Sequence, residues 1–279
     1  MFAALGRGGE PNMFDRRTQR GRKEHERPQG ARSADASLDA FKYEYDSATE
    51  RWRKSTTRVM VDATPFAHGG MRECFHAREI DGADVVQSVL KVFKDPVPAN
   101  VYFDECQVSS VAETHAQAFN RLCASRGLPH SVAFLPCAVI CCPASEGGFE
   151  LGTLEPYLPG VYTKHSDNAG HVETDDEVAK AFSWFTYVSS ERLLVVCDIQ
   201  GVGSFYTDPQ IHTWDGEGFG LGNMGAEGLE QYLATTTRNL LIDQLGLPPL
   251  DAGETDEEVA RRLQRAEEED YGGDLVSFE

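Results

Sequence analysis

No stretch of this 279-residue chain approaches the roughly 18 consecutive apolar residues of a membrane helix, and its first residues hold no apolar leader. These absences lead us to expect a soluble, cytoplasmic protein without a membrane partner. Cysteine is sparse and irregular. There are seven, an odd number, and Cys141 and Cys142 are adjacent in an apolar stretch, a pattern of reduced core thiols and not of a disulfide framework. Basic residues are short: 26 Lys and Arg stand against 45 Asp and Glu, a net charge of −19. Such a surface excludes general affinity for nucleic acid and favours a basic partner. No heptad run is visible.

What is present is apolar material for a sizeable core, 41 % of residues, enough for one large domain or two small lobes. Charge is uneven. Residues 1–36 carry eight Lys or Arg against five acids, and residues 251–279 carry eleven acids against three arginines. We read a basic disordered tail over 1–48, a first lobe over 49–153, a second over 154–250 and an acidic tail over 251–279, with a polar helix at 257–269.

In the first lobe, FAHGGMRECFHA (66–77) sets Gly69-Gly70 between strand-like stretches. That pair lets backbone approach a ligand, and it equally suits a hairpin turn. VLKVF (89–93) places Lys91 inside an apolar strand. A buried lysine needs an anion, and phosphate is one; an edge-strand lysine reaching water is the other reading. YFDECQ (102–107) opens a helix running to Phe119-Asn120-Arg121, and 131–142 is an apolar run broken by Pro136, read as buried strand. LEPYLPG (154–160) is a strand ending in a Pro-Gly turn, YTKHSDNAG (162–170) a loop, and 179–187 a helix.

The most informative stretch follows. An apolar strand at 193–196 stops in VVCDIQGVG (195–203), and YTDPQIH (206–212) comes next. Asp198, Gln200 and Asp208 form a hard-oxygen set of two carboxylates and an amide. Such a set holds Mg²⁺ and leaves one acid for proton handling. GFGLGNMG (218–225) is a second glycine-rich loop before a helix, and no βαβ unit supports a dinucleotide reading.

These words resemble the catalytic core of the α-kinases, the atypical protein kinases that include the myosin heavy chain and elongation factor kinases. The resemblance covers roughly residues 50 to 248. It implies an α+β, two-lobed protein-kinase-like fold with the nucleotide between the lobes, and transfer of the γ-phosphate of Mg-ATP to a Ser or Thr of a protein. By position it makes Asp198 the catalytic acid and Lys91 the phosphate-holding lysine, with Gln200 and Asp208 on Mg²⁺. It puts Gly69, Gly70, Arg72, Glu105, Glu155 and the backbone near Tyr157 around the nucleotide, with Glu105, then Asp104, as the expected partner of Lys91. Gly220, Gly222, Asn223 and Gly225 become a substrate loop. Ser109 stands where the family has glutamine, and Asp167 where it has a first asparagine. The implied partners are ATP and a basic or helical protein substrate.

The same resemblance implies a structural zinc, but its ligand positions are Trp184, Thr236, Arg238 and Ile242, so no structural zinc is expected. Apolar packing by Trp184 and Ile242 is the expected replacement. The alternatives are a nucleotide-binding scaffold without transfer and an unrelated α+β interaction protein.

Overall fold

The structure is a computed structural model that describes residues 37–81, 84–142 and 150–250. The readings made for 1–36 and 251–279, including the helix at 257–269, lie outside the described residues. The chain divides into two units. Of the described residues, one holds those up to Ser110 and those within 136–159; the other holds Val111–Leu135 and those from Gly160 to Leu250. Among the described residues no helix is long and apolar enough to cross a membrane.

The first unit is built on β1 (Leu38–Asp46), β2 (Arg51–Val61), β3 (Ala67–His68), β4 (Arg72–Asp81), β5 (Asp84–Phe93), β7 (Ala138–Cys141) and β8 (Leu151–Pro156). Strand β2 pairs with both β1 and β4, so six strands close into a ring in the order β1-β2-β4-β5-β8-β7, antiparallel throughout, with β3 added on β4. Side chains alternate across each strand. Ala40, Val59, Val61, Ala77, Leu90, Ile140 and Leu154, drawn from all six strands, pack as one cluster. Tyr43, Phe93 and Val139 form another with Val101, Tyr102, Phe103 and Cys106 of helix α1 (Ala99–Ser125). Lys91 has the parity of Phe93, so the strand that buries Leu90 on one face turns the lysine to the face lined by α1.

Strand β1 lies inside the segment 1–48 read as a tail, and this corrects that boundary. Its alternation of Phe41, Tyr43 and Tyr45 with Leu38 and Ala40 outweighs the basic composition that precedes it. The lobe boundary read at 153/154 also moves. Strand β8 pairs with β5 and β7 and stays with the first unit, whereas Val111–Leu135 joins the second.

The second unit contains a four-stranded sheet of β6 (Ala133–Phe134), β12 (Phe205–Tyr206), β11 (Gln200–Val202) and β9 (Thr163–Lys164), and a two-stranded sheet of β10 (Leu194–Cys197) and β13 (Gln210–Thr213). Around these lie α2 (Glu177–Ser189), α3 (Gly225–Thr235) and α4 (Leu240–Leu245). Its core is aromatic: Phe182 meets Phe119 at 5.7 Å and Phe134 at 5.4 Å, and Phe134 meets Tyr206 at 5.6 Å between ring centroids. Asn120 pins the entry to β6, accepting from Val132 N at 2.9 Å and donating to Val132 O at 2.7 Å. The apolar run 131–142 therefore splits into two short strands, β6 and β7, in different sheets. The helical segment after the glycine-rich loop is two helices, α3 and α4. Asn239 accepts from Ile242 N at 2.9 Å and starts α4 as its N-cap.

Candidate active site

In the first unit Lys91 is 5 % and Glu155 8 % exposed, and Lys91 Nζ lies 2.6 Å from Glu155 Oε1. The two side chains form a buried ion pair. Arg72 of β4 meets the Glu105 carboxylate of α1 directly. Register supplies the Glu155 contact: β5 and β8 are adjacent, and the residues of each with the same parity share a face, while Arg72 stands on β4 opposite Phe93, on that same face. Asp104, the second expected partner, is bonded by Asn100 Nδ2 at 3.3 Å, and burial raises its pKa.

Gly69-Gly70 is a hairpin turn between β3 and β4, closed by Gly69 N on Arg72 O at 2.9 Å and crossed by Lys94 Nζ, 2.5 Å from Gly69 O. A Cβ at Gly70 would meet nothing within 4 Å, so the turn leaves open space over its backbone. Tyr157 N donates to Gln87 O at 2.9 Å, so that backbone donor is spent inside the unit. The Tyr157 ring sits edge-on to His76 at 5.3 Å, and His76 stacks on Phe66 at 4.0 Å.

In the second unit the fully buried strand β10 delivers Asp198 at its end. Asp198 (φ 55°) and Asp208 (φ 53°) both adopt the left-handed backbone region. Non-glycine residues enter it rarely, aspartate more readily than most, and such strain gathers at functional sites. The β11–β12 hairpin folds the second carboxylate back toward the first, with Thr207 N on Gln200 O at 2.9 Å. This return needs glycine at 201 (φ 157°), where a Cβ would overlap Phe205 O.

Asp198 Oδ2 accepts from Gln200 Nε2 at 3.0 Å, and Lys164 Nζ lies 3.0 Å from Oδ1. Burial raises the Asp198 pKa above the ordinary carboxylate value; Lys164 pulls it back, and the charges of Asp208 and Asp167 push it up again. Burial lowers the Lys164 pKa, but its bond to Asp198 and the surrounding acids outweigh that and leave it raised. The pair thus yields a firm ammonium beside a carboxylate made more basic than usual. Lys164 is a residue that our sequence reading placed in a structural loop. Its signal was the β9–β11 register, which sets Lys164 opposite Gln200, and that register is not visible in the sequence.

The donor set suits magnesium. Asp198, Gln200 and Asp208 supply hard oxygens, and Mg²⁺ is usually held by one or two carboxylates with phosphate and water completing its shell. With the Gln200 amide nitrogen spent on Asp198, its carbonyl oxygen is the atom left for a cation. Among the described residues no group of three His, Cys, Asp or Glu is gathered as a closed metal cage.

The glycine-rich loop holds a 3₁₀ turn, Gly220–Gly222, ahead of α3. Asn223 is its organiser: its Oδ1 accepts from Thr213 N and Gly225 N, both at 3.0 Å, and its Nδ2 donates to Thr213 Oγ1 at 2.8 Å and Gly218 O at 3.1 Å. A Cβ at Gly222 would overlap the Gln210 side chain. His212 ties this loop to the one between β9 and α2. Its Nδ1 accepts from Met224 N at 3.1 Å, so Nε2 carries the proton and donates to Asn168 O at 2.7 Å.

The bond from Met224 N needs a neutral ring, and burial lowers the His212 pKa, outweighing the bond to Asn168 O, which raises it. Burial also lowers that of His115, on α1, from 6.5 to about 4. Both folded values lie below the unfolded one. The stability these rings contribute is complete above about pH 6.5 and is lost as pH falls below it. For His115 the loss by pH 4 is about 3 kcal/mol. Urea midpoints measured from pH 7 to 4 should fall accordingly, and His115→Leu should flatten that fall.

At the four expected zinc-ligand positions other contacts are made. Trp184 Nε1 donates to Pro248 O at 3.0 Å, the Arg238 guanidinium lies 5.6 Å from the Trp184 ring, and Arg238 Nη2 donates to Leu247 O at 2.9 Å. Ile242 is fully buried. Thr236 and Arg238 stand in the connector between α3 and α4.

The sequence model of the Alpha-kinase family matches residues 67–241. The chain belongs to the alpha-kinase family. This alpha-kinase is 36 % identical over 221 residues to myosin heavy chain kinase B of Dictyostelium discoideum, a match spanning 78 % of the chain and 30 % of the relative. It is 33 % identical over 241 residues to eukaryotic elongation factor 2 kinase of Mus musculus, covering 82 % of the chain and 32 % of that protein. The chain therefore spans about a third of the length of either relative. Among solved structures it is similar to the alpha-kinase domain of myosin heavy chain kinase A in complex with ADP, with a TM-score of 0.71 and 29 % identity over 77 % of the chain and 98 % of that domain. The same kinase domain has been solved in complex with AMP-PNP, at a TM-score of 0.70 to this chain. The two-lobed α+β kinase-like fold read from the sequence is thus the fold of this alpha-kinase.

Proposed function

We propose that this alpha-kinase transfers the γ-phosphate of ATP to a serine or threonine hydroxyl of a protein. One observation carries the reading: a half-buried, left-handed carboxylate, Asp198, accepts from Gln200 and pairs with the Lys164 ammonium, with a second left-handed carboxylate, Asp208, folded back toward it. Phosphoryl transfer asks a protein mainly for positioning and charge neutralisation. Asp198 orients the incoming hydroxyl and accepts its proton. Its raised pKa suits that role, since a stronger base takes the proton more readily. Lys164 keeps Asp198 ionised and aimed. Gln200 and Asp208 would hold Mg²⁺, which when bound neutralises phosphate charge.

In the first unit, Lys91 holds phosphate oxygens and Arg72 assists, with Glu155 and Glu105 as the carboxylates that keep these cations in place. The Gly69-Gly70 turn offers backbone to the phosphates, and Glu155 and the Tyr157 region face the base and ribose. Gly220, Gly222 and Gly225 shape the loop for substrate, with Asn223 as its internal brace. The acidic balance of the chain favours a basic substrate peptide, and a cytoplasmic setting fits both.

Calorimetric titration with ATP in magnesium buffer tests the nucleotide part. Saturable one-site binding is expected, and no binding would overturn the reading. Lys164→Met tests the base. Losing the ammonium raises the Asp198 pKa further, so the acidic limb of kcat/KM should move to higher pH. An unmoved limb would exclude Lys164 from this role.

A further inference from the structure

Cys106 and Cys137 come from separate segments of the first unit, 31 positions apart, and their sulfurs lie 3.0 Å from each other. Cys106 is 1 % exposed on α1, the residue after Glu105, and packs against Tyr43, Phe93 and Val139. Cys137 is half-buried, immediately before β7. Neither belongs to the phosphate-transfer machinery. All seven cysteines are free thiols in the structure. Two thiols already in contact need only about 1 Å of approach to reach the S–S bond length of about 2.05 Å. Core packing holds α1 against the sheet, so Cys106 cannot easily turn away.

We propose that Cys106 and Cys137 are a redox modification site, closed to a reversible disulfide by a hydroperoxide. The half-buried Cys137 is the sulfur an oxidant reaches. Its thiolate attacks the O–O bond; the peroxide is reduced by two electrons and leaves as alcohol or water, and Cys137 becomes a sulfenic acid. Cys106 sulfur then attacks the sulfenyl sulfur, the S–S bond forms, and hydroxide departs with the Cys106 proton as water. Burial and the neighbouring Cys137 raise the Cys106 pKa well above its usual value, so Cys106 resolves and does not initiate. An external dithiol reverses the bond. The link pins α1 to β7 with Glu105 on Arg72, and it closes a loop that the unfolded chain must then carry.

The test uses the full chain treated with hydrogen peroxide, alkylated, digested and mapped without reductant. The expected result is a linked pair of peptides containing Cys106 and Cys137, short of two hydrogens and separated by dithiothreitol, together with a rise in Tm that the same reagent reverses. In Cys137→Ser, a half-buried and mild change, the linked pair and the Tm rise should both vanish. Recovery of Cys106 and Cys137 as separately alkylated peptides would overturn the proposal. So would a crosslink mapped to Cys141 or Cys142, or an unchanged Tm in a chain that carries the 106–137 link. None of these readouts depends on phosphate transfer.

Discussion

Asp198→Asn should remove phosphate transfer by about 10²–10⁴-fold, the range of a lost general base, while leaving the fold intact. Asparagine keeps the size of the side chain and tolerates the left-handed backbone at φ 55°. It also keeps an acceptor for Lys164. What it loses is the negative charge that orients and deprotonates the incoming hydroxyl. Alanine is the poorer test, because a left-handed backbone costs an ordinary residue about 1–2 kcal/mol and confuses strain with chemistry. The measurement is initial-rate transfer with Tm as control. A variant with unchanged Tm and undiminished rate would remove Asp198 from the chemistry.

Lys91→Met should act on stability and activity together. The lysine and Glu155 are almost fully buried and 2.6 Å apart. Removing one partner of a buried pair strands the other and costs about 3–5 kcal/mol. The second change Glu155→Gln separates the two effects. With no stranded charge, the double variant should regain most of the lost stability in urea unfolding. It should not regain phosphate transfer, since no cation has been restored for the phosphates. Equal losses of stability in the single and double variants would show that the pair carries little of the fold.

The parts of this molecule legible in its sequence are those written in contiguous words. The strand ending at Asp198, the helix opened by Tyr102 and the lysine in strand 89–93 all depend on local patterning. Pairings across sheets were not legible. Nothing in the order of residues says that β2 bonds both β1 and β4 and so closes a six-stranded ring. The same blindness missed Glu155 as a partner of Lys91, which β5–β8 adjacency supplies, and left Lys164 as a loop residue, where β9–β11 register sets it beside Asp198. The break between α3 and α4 was written locally, as three threonines followed by an N-cap asparagine, yet apolar periodicity masked it. Alignment to a family pattern also transfers a role without its context: Asn223 reads as a substrate contact and in the structure spends its amide on its own loop.

The most direct test of the account is transfer of label from γ-labelled Mg·ATP to a mixture of basic Ser- and Thr-containing peptides by the unmodified chain. The account expects phosphoserine or phosphothreonine after hydrolysis of the products, at a rate that Asp198→Asn suppresses. Tight binding of Mg·ATP with no label transferred to peptide, protein or the chain itself would contradict it.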